Sequence, residues 1–248
     1  MNFERERSIL EILLREKRIE VKDVARRLYT SEPSVRRDLA SLEKQRLIKR
    51  VHGGAVLDEN GLSDIKIPFL LREYEHADEK VIIAKNAAGL VKSGDVIFLD
   101  ASTSAYGTVP YLSEKRSILV ITNGIKTLNA LIEHGVACIG TGGEVQNSCM
   151  AFVGARAHEL LENYNADICF ISCRGLSPDG RLTDISSEEN EVRRQMLRRS
   201  SRSYLLCTGD KVGKVFYNNL CRIDDLSGII SAGELPGALN DKKIIPDQ

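Results

Sequence analysis

The chain has 248 residues, and its 35 lysines and arginines balance 35 aspartates and glutamates, so the formal net charge is zero. Hydrophobic residues make up 42% of the sequence, which excludes a disordered or collagen-like chain. No apolar run approaches the ~20 residues that cross a bilayer, and the N-terminus lacks the apolar region of a secretory signal. We therefore expect a cytoplasmic protein, without a membrane partner, of one large domain or two smaller ones.

The charge is distributed unevenly along the chain. Residues 1–57 carry an excess of five basic residues, and residues 58–248 carry an equal acidic excess. This asymmetry favours a polyanionic partner for the first segment only. The six cysteines form no C-x-x-C pair, and the histidines are scattered. We therefore expect reduced, buried thiols and neither a metal site nor a cofactor.

Helical spacing of apolar residues predicts three helices in the first segment. The first runs from about residue 3 to 17, and the second is short and follows an extended segment at 18–21. The third runs from Pro33 to Gln45, with Ser31 as its N-cap. The inward-facing residues of the three helices are, in order, Ile9, Leu10, Leu13 and Leu14; Val24, Ala25 and Leu28; and Val35, Leu39 and Leu42.

Two short helices joined by a tight turn are typical of a helix-turn-helix. The third helix can enter a major groove about 12 Å wide, where arginines pair with guanines or phosphates. Its outward-facing candidates for DNA contact are Ser34, Arg36, Arg37 and Ser41. The alternative is a solvated helix whose Arg36 and Arg37 only balance Asp38 and Glu43.

A β-hairpin is predicted after the third helix, because two apolar-rich strands flank Gly53 and Gly54. This hairpin would form a wing beside the helix-turn-helix. Its basic residues Lys49, Arg50 and His52 lie near the tip, where they could reach DNA phosphates.

The stretch from Ser31 to Ala55, which contains V-R-R-D-L and R-V-H-G-G-A, resembles the N-terminal signature of the DeoR family of bacterial transcription regulators. Two positions depart from that signature. Ser34 stands where threonine is usual, and Gln45-Arg46-Leu47 replaces the usual glycine turn. The resemblance implies a winged helix-turn-helix that binds an operator in double-stranded DNA.

The remainder of the chain predicts alternating strands and helices. Continuous apolar strands of this kind indicate a mostly parallel sheet covered by helices on both faces, that is, a Rossmann-like α/β domain. The predicted strands are 96–99, 118–121, 136–139, 168–171, 204–207 and 228–230, and the predicted helices are 78–91, 105–112, 124–134, 154–163 and 187–199.

Ligands in such folds bind at the carboxyl ends of the strands. Hydroxyl-rich or glycine-rich loops follow four of the predicted strands and favour a phosphorylated small molecule. The candidate effector ligands in these loops are Asp100, Ser102, Thr103 and Ser104; Thr122 and Asn123; Gly142 and Gly143; and Lys211.

These loops also resemble the DeoR-family C-terminal domain, which is similar to sugar-phosphate isomerases. The family's E-x-x-x-K helix implies Glu189 as a further effector residue, and here Arg193 replaces the lysine. The resemblance implies a repressor of carbohydrate genes that a phosphorylated sugar or related metabolite controls. It also implies a homo-oligomer, either a dimer or a tetramer.

Two other functions are open at this point. A sugar-phosphate isomerase or deaminase would need a carboxylate to move a proton, and Asp100 and Asp184 are the candidates; Asp184 is also a candidate effector ligand. A protein whose second domain only oligomerises would need no effector.

The domain boundaries we predict are 1–57 for the winged helix-turn-helix, 58–75 for a linker, 76–236 for the sensor domain and 237–248 for a polar tail.

Overall fold

The computed structural model describes residues 2–44, 47–57 and 69–244 of the chain. These residues form two compact units, the first ending at Glu75 and the second beginning at His76. Within the described residues, no helix is both long and apolar enough to span a bilayer.

The first unit packs helices against a small antiparallel sheet. Its helices are α1 (Asn2–Glu16), α2 (Val21–Arg27), α3 (Glu32–Lys44) and α4 (Phe69–Tyr74), and its strands are β1 (Arg18–Glu20), β2 (Ile48–Val51) and β3 (Gly54–Leu57). The strand order is β1-β3-β2. The predicted helices and wing hairpin are confirmed, apart from Gln45, which lies outside the described residues. The extended segment after α1 additionally pairs with the wing.

Local chemistry explains how α2 and α3 are joined. Thr30 donates its N–H to Ala25 O and Tyr29 donates to Arg26 O, the two bonds of a Schellman turn. Tyr29 takes the left-handed conformation that this turn requires, with φ of 48°. Ser31 then accepts the Ser34 N–H at 3.4 Å, so it acts as the predicted N-cap.

The predicted linker, 58–75, contains a helix. Residues 58–68, including the polar stretch at 60–64, lie outside the described residues, but α4 follows at Phe69–Tyr74. Leu71 and Tyr74 are buried in the core of the first unit with Leu10 and Leu13 of α1. Their spacing of three residues puts both on one helical face, and this burial places α4 in the first unit.

The second unit is built on a six-stranded sheet in the order β14-β12-β9-β4-β5-β6, in which all neighbours are parallel. Its strands are β4 (Val96–Leu99), β5 (Leu119–Thr122), β6 (Cys138–Gly140), β9 (Ala166–Ile171), β12 (Ser200–Leu206) and β14 (Gly228–Ile230). Its helices are α5 (Ala77–Gly89), α6 (Thr103–Tyr106), α7 (Val109–Leu112), α8 (Ile125–Glu133), α9 (Ala155–Glu162) and α10 (Ser187–Arg198). The predicted Rossmann-like sheet is confirmed.

The apolar character of the strands follows from burial on both faces of this sheet. Phe98 and Ile121 pack into one hydrophobic cluster, whereas Ile97 and Val120, their neighbours in sequence, pack into another. Successive side chains of a strand point to opposite faces, so a strand covered on both sides must be apolar throughout.

Antiparallel segments and the chain end depart from the predictions. Short strands form a hairpin and a three-stranded sheet that the sequence did not predict: β7 (Glu144–Gln146), β8 (Ala151–Val153), β10 (Gly175–Leu176), β11 (Arg181–Asp184) and β13 (Asn218–Arg222). The predicted polar tail after Gly237 begins with a 3-10 turn, Gly237–Lys242. Its Leu239 is buried, and Ile244 packs against the core, so apolar contacts hold this segment.

Candidate DNA-binding surface and effector site

The first turns of α3 present the predicted DNA-contacting residues to solvent. Arg37 is exposed and donates Nη2 to Ser34 Oγ at 3.3 Å. Arg36 is also exposed and pairs with Glu32 at 3.3 Å. Ser41 is only partly buried on the same helix. The two arginines therefore have weak local partners that DNA phosphates or bases can replace.

Asp38 does not balance these arginines, contrary to the alternative considered from sequence. It is fully buried, and its carboxylate binds Arg5 of α1 at 2.5 and 3.0 Å. The Asp38 hydrogen bond raises the pKa of Arg5 despite desolvation. This pair fastens α3 to α1, and it leaves Arg36 and Arg37 on the outer face.

The wing presents Lys49, Arg50 and His52, all of them exposed. Arg50 binds Glu43 at the end of α3, through Nε to Oε2 at 2.7 Å and through its N–H to Oε1 at 3.0 Å. These hydrogen bonds lower the pKa of Glu43. The Arg50–Glu43 contact orients the hairpin relative to α3. Lys49 and His52 take no part in this contact.

The loop after β4 is shaped by Asp100. Its Oδ1 accepts the Ser102 N–H at 3.1 Å and its Oδ2 accepts the Ser172 N–H at 3.0 Å. Ser102 in turn caps α6 by accepting the Ala105 N–H at 3.1 Å. Asp100 and Ser102 therefore hold the loop that presents the buried hydroxyls of Thr103 and Ser104.

A single arginine joins the three predicted effector carboxylates. Arg193 is 5% exposed, and its guanidinium binds Asp100 at 2.8 Å through Nε, Asp184 at 2.9 Å through Nη1 and Glu189 at 3.2 Å through Nη2. Desolvation lowers the pKa of Arg193, but the three carboxylates together raise it well above its ordinary value. We call these four residues the Arg193 cluster. Because the Arg193 guanidinium contacts all three carboxylates, the cluster joins the loop after β4, the end of β11 and α10.

Lys211 has a different kind of partner. Its Nζ donates to Ser172 Oγ at 2.7 Å, and that hydroxyl donates to Leu206 O at 2.7 Å. The Ser172 N–H is the one bound to Asp100, so a chain of contacts connects Lys211 to the Arg193 cluster. The ammonium is half-buried, and its hydrogen bond goes to a neutral hydroxyl.

Buried polar atoms gather beside this loop. Ser104 Oγ, Asn123 Oδ1 and Thr127 Oγ1 have no hydrogen-bond partner within the part of the chain that the structure describes. A Cβ added at Gly124 would lie 2.8 Å from Thr127 Oγ1 and 3.1 Å from Ala101 Cα, so the loops after β4 and β5 meet here. Buried polar groups without partners are rare, and an ordered water or a polar ligand can supply the missing hydrogen bond.

Backbone geometry accounts for three other predicted residues. Thr122 Oγ1 accepts the Gly124 N–H at 3.0 Å, which shapes the loop after β5. Gly142 and Gly143 both have positive φ. A Cβ on Gly143 would lie 2.5 Å from Val153 O, so the close approach of strand β8 requires a glycine there.

Sequence reasoning missed Ser172, Thr127 and the joining role of Arg193. Ser172 directly follows β9, and the strand-end rule that selected the other loops would have found it. It was overlooked because the surrounding CFISC segment reads as one buried strand. Nothing in the local sequence shows that Arg193, Asp100 and Asp184 meet, because tertiary folding brings them together.

Comparison with known proteins settles what these two units are. The family model of the DeoR-like helix-turn-helix domain matches residues 5–60, and that of the DeoR C terminal sensor domain matches residues 75–232. The chain belongs to the DeoR family of transcription regulators. This DeoR-family chain is therefore a DNA-binding transcription regulator with a sensor domain, and it is not an enzyme.

Relatives of this DeoR-family chain align over nearly its whole length. The HTH-type transcriptional regulators YulB of Bacillus subtilis (strain 168) and GolR of Listeria innocua are each 33% identical to it, over 97% of this chain and 94% of theirs. The lactose phosphotransferase system repressor of Staphylococcus epidermidis is 31% identical, over 86% and 85%.

Among solved structures, ribose 5-phosphate isomerase A from Methanocaldococcus jannaschii matches with a TM-score of 0.43 and 17% identity, over 56% of this chain and 55% of that one.

Proposed function

We propose that this DeoR-family chain is a cytoplasmic repressor of carbohydrate-metabolism genes that a phosphorylated sugar or related metabolite releases from its operator. The winged unit docks α3 in the major groove. Ser34, Arg36, Arg37 and Ser41 make base or phosphate contacts there, and Lys49, Arg50 and His52 bring the wing to the phosphate backbone.

The Lys211 contact carries the effector half of the proposal. A phosphate accepts hydrogen bonds and is anionic, so an ammonium whose hydrogen bond goes to a neutral hydroxyl at 2.7 Å suits it, whereas the carboxylates of the Arg193 cluster would repel it if they were unpaired. The Thr103 and Ser104 hydroxyls and the N–H groups of their loop add donors. We infer that Asn123 Oδ1 and Thr127 Oγ1, which have no hydrogen-bond partner among the described residues, bind the sugar hydroxyls.

The names of relatives support sugar control. They include a lactose phosphotransferase system repressor and a putative aga operon transcriptional repressor, from Staphylococcus epidermidis and Escherichia coli. An L-fucose operon activator of Haemophilus influenzae is 30% identical, so both directions of control occur among the relatives. We propose repression relieved by the metabolite, which requires that the metabolite bind the DNA-free state more tightly.

We further propose that the second unit forms a homo-oligomer, a dimer or tetramer. A pair of winged units can then read two half-sites spaced by a helical turn. Sedimentation of the purified chain, alone and with operator duplex, measures both the oligomer and its stoichiometry on DNA. A monomer bound singly to DNA would refute this part.

The decisive experiment combines a ligand screen with a charge-removing variant. DNA duplexes that the purified chain selects from a random pool serve as the operator. A panel of pentose and hexose monophosphates is then tested for release of the protein from these duplexes and for an increase in its thermal stability. A ligand at ~100 times its Kd adds ~2.7 kcal/mol to the stability of the state that binds it. Lys211→Ala should lose both responses and keep operator affinity. If no phosphorylated metabolite stabilises the wild type, the second unit only oligomerises.

A further inference from the structure

The turn that carries Lys211 is fastened to the first turn of α5. The Gly209 N–H donates to Glu79 Oε2 at 2.7 Å. His76 contacts both acidic partners, with Nδ1 at 3.2 Å from Glu79 Oε1 and Nε2 at 3.6 Å from Asp210 Oδ1. We call His76, Glu79, Gly209 and Asp210 the latch. The Glu79–Gly209 bond joins residues 130 apart in sequence, so its role extends beyond capping α5.

The latch begins where the second unit begins. Glu75 ends the first unit and His76 starts the second. His76 has φ of 52°, in the left-handed region that only a few per cent of non-glycine residues adopt and in which asparagine, aspartate and histidine are enriched. Its side chain is held by the Glu79 and Asp210 carboxylates. His76, the first residue of the second unit, therefore combines a left-handed backbone with a side-chain contact to Asp210 in the Lys211 turn.

The other end of the latch adjoins the proposed anion site. Asp210 precedes Lys211 in a 3-10 turn of three residues, Gly209–Lys211. The Asp210 carboxylate also accepts Thr208 Oγ1 at 2.6 Å and lies 3.3 Å from Lys214 Nζ. In so short a turn, a change in the Lys211 backbone displaces Gly209 and Asp210 as well; Gly209 is bound to Glu79 of α5, and Asp210 contacts His76, the N-cap of that helix.

We propose that the latch transmits anion binding at Lys211 to the junction that follows Glu75, with His76 and Glu79 as positioning residues that act through the Gly209–Lys211 turn. An anion that draws Lys211 away from Ser172 shifts this turn and weakens its bonds to Glu79 and His76. The left-handed His76 then loses the contacts that hold it, and the link to the DNA-binding unit changes conformation. This inference rests on the proposed function, because it requires the anion site.

The test uses the full chain and four variants. Glu79→Ala removes both latch contacts of that carboxylate, whereas Glu79→Gln keeps an acceptor for the Gly209 N–H. His76→Asn removes the imidazole but keeps a residue that tolerates the left-handed region. Glu114→Gln, at an exposed site, is the control for loss of one negative charge. Each protein is studied with and without inorganic phosphate by thermal shift and by hydrogen exchange.

In the wild type and in Glu114→Gln we expect phosphate to change exchange at 208–214 and also at 76–80. In Glu79→Ala the thermal shift and the change at 208–214 remain, but the change at 76–80 is lost; Glu79→Gln retains part of it. In the wild type we expect an active sugar monophosphate to lower the affinity for the selected duplexes by a factor in the usual coupling range of about 5 to 150. In Glu79→Ala the same sugar monophosphate should change this affinity by no more than about twofold. His76→Asn behaves like Glu79→Ala.

Four results would overturn the inference, and they separate it from the proposed function. If Glu79→Ala responds at 76–80 as the wild type does, or the wild type shows no change there, the latch is refuted and the anion site stands. If Glu79→Ala loses the thermal shift, Glu79 shapes the anion site instead of coupling it. If the wild type shows no thermal shift with phosphate or any sugar monophosphate, the anion site fails first.

Discussion

Replacing Arg193 tests the structural core of the sensor unit. Arg193→Met keeps the length of the side chain and removes the guanidinium, which leaves the carboxylates of Asp100, Asp184 and Glu189 buried without it; their side chains are 1%, 3% and 7% exposed. Removing one partner of a buried ion pair costs about 3–5 kcal/mol. Arg193 contacts all three carboxylates, so we expect a loss at the upper end of that range.

That loss is large against a total stability of about 5–15 kcal/mol for a folded domain. Arg174 Nε lies 3.6 Å from Asp184 and can offset part of it. Arg193→Lys should be intermediate, because an ammonium cannot span three carboxylates as the planar guanidinium does.

The assay is urea unfolding followed by circular dichroism, with Arg181→Met as the matched control. Arg181 pairs with Asp179 at 2.9 Å, but their side chains are 45% and 55% exposed, so its loss should cost no more than about 1 kcal/mol. If Arg193→Met unfolds at the same urea concentration as the wild type at pH 8, the Arg193 cluster does not stabilise the fold and our account of the site is wrong.

Three further predictions concern other parts of the molecule. Arg37→Ala should weaken operator binding and reduce the slope of log affinity against log salt by about 1 if the contact is to phosphate; an unchanged titration would contradict that role. Gly54→Ala should unfold the wing at lower temperature than Gly53→Ala in thermal melts. A Cβ on Gly54 would lie 1.9 Å from the backbone oxygen of Ile19, whereas Gly53 has open space around it and a side chain there is opposed by its positive φ of 75° alone. Burial raises the pKa of Cys207 to about 11, so alkylation at pH 8 followed by mass spectrometry should leave it unmodified; rapid labelling would show that the sheet opens.

Periodicity and strand-end position predicted much of this molecule. The six strands of the parallel sheet read as apolar runs because both faces are covered, and this burial leaves a clear signal in the sequence. The loops at 100–104 and 122–124 followed from the rule for strand ends. The antiparallel strands β7 and β10 escaped prediction because each has only two or three residues, too few for a period to show.

The partners of the polar side chains could not be predicted. Asp100, Asp184 and Glu189 were expected to contact the effector, but the structure places all three on Arg193, a residue noted only as a departure from the family's lysine. The position of Arg193 four residues after Glu189 fixes that one pair on a helix. The other two pairs depend on how β4 and β11 approach α10, and only the assembled fold determines that.

The Arg193 cluster also explains physically why this sheet serves a sensor. An isomerase would need Asp100 or Asp184 to take a proton from a carbon beside a carbonyl, so the carboxylate must reach the substrate and accept a proton readily. Both oxygens of Asp100 already accept backbone N–H groups, and Arg193 adds a charged donor to Oδ2. Asp184 is bound by the same guanidinium. The oxygens of these carboxylates are occupied by backbone N–H groups and by a guanidinium, so the carboxylates fix the surrounding loops and are not placed to take a proton from a substrate.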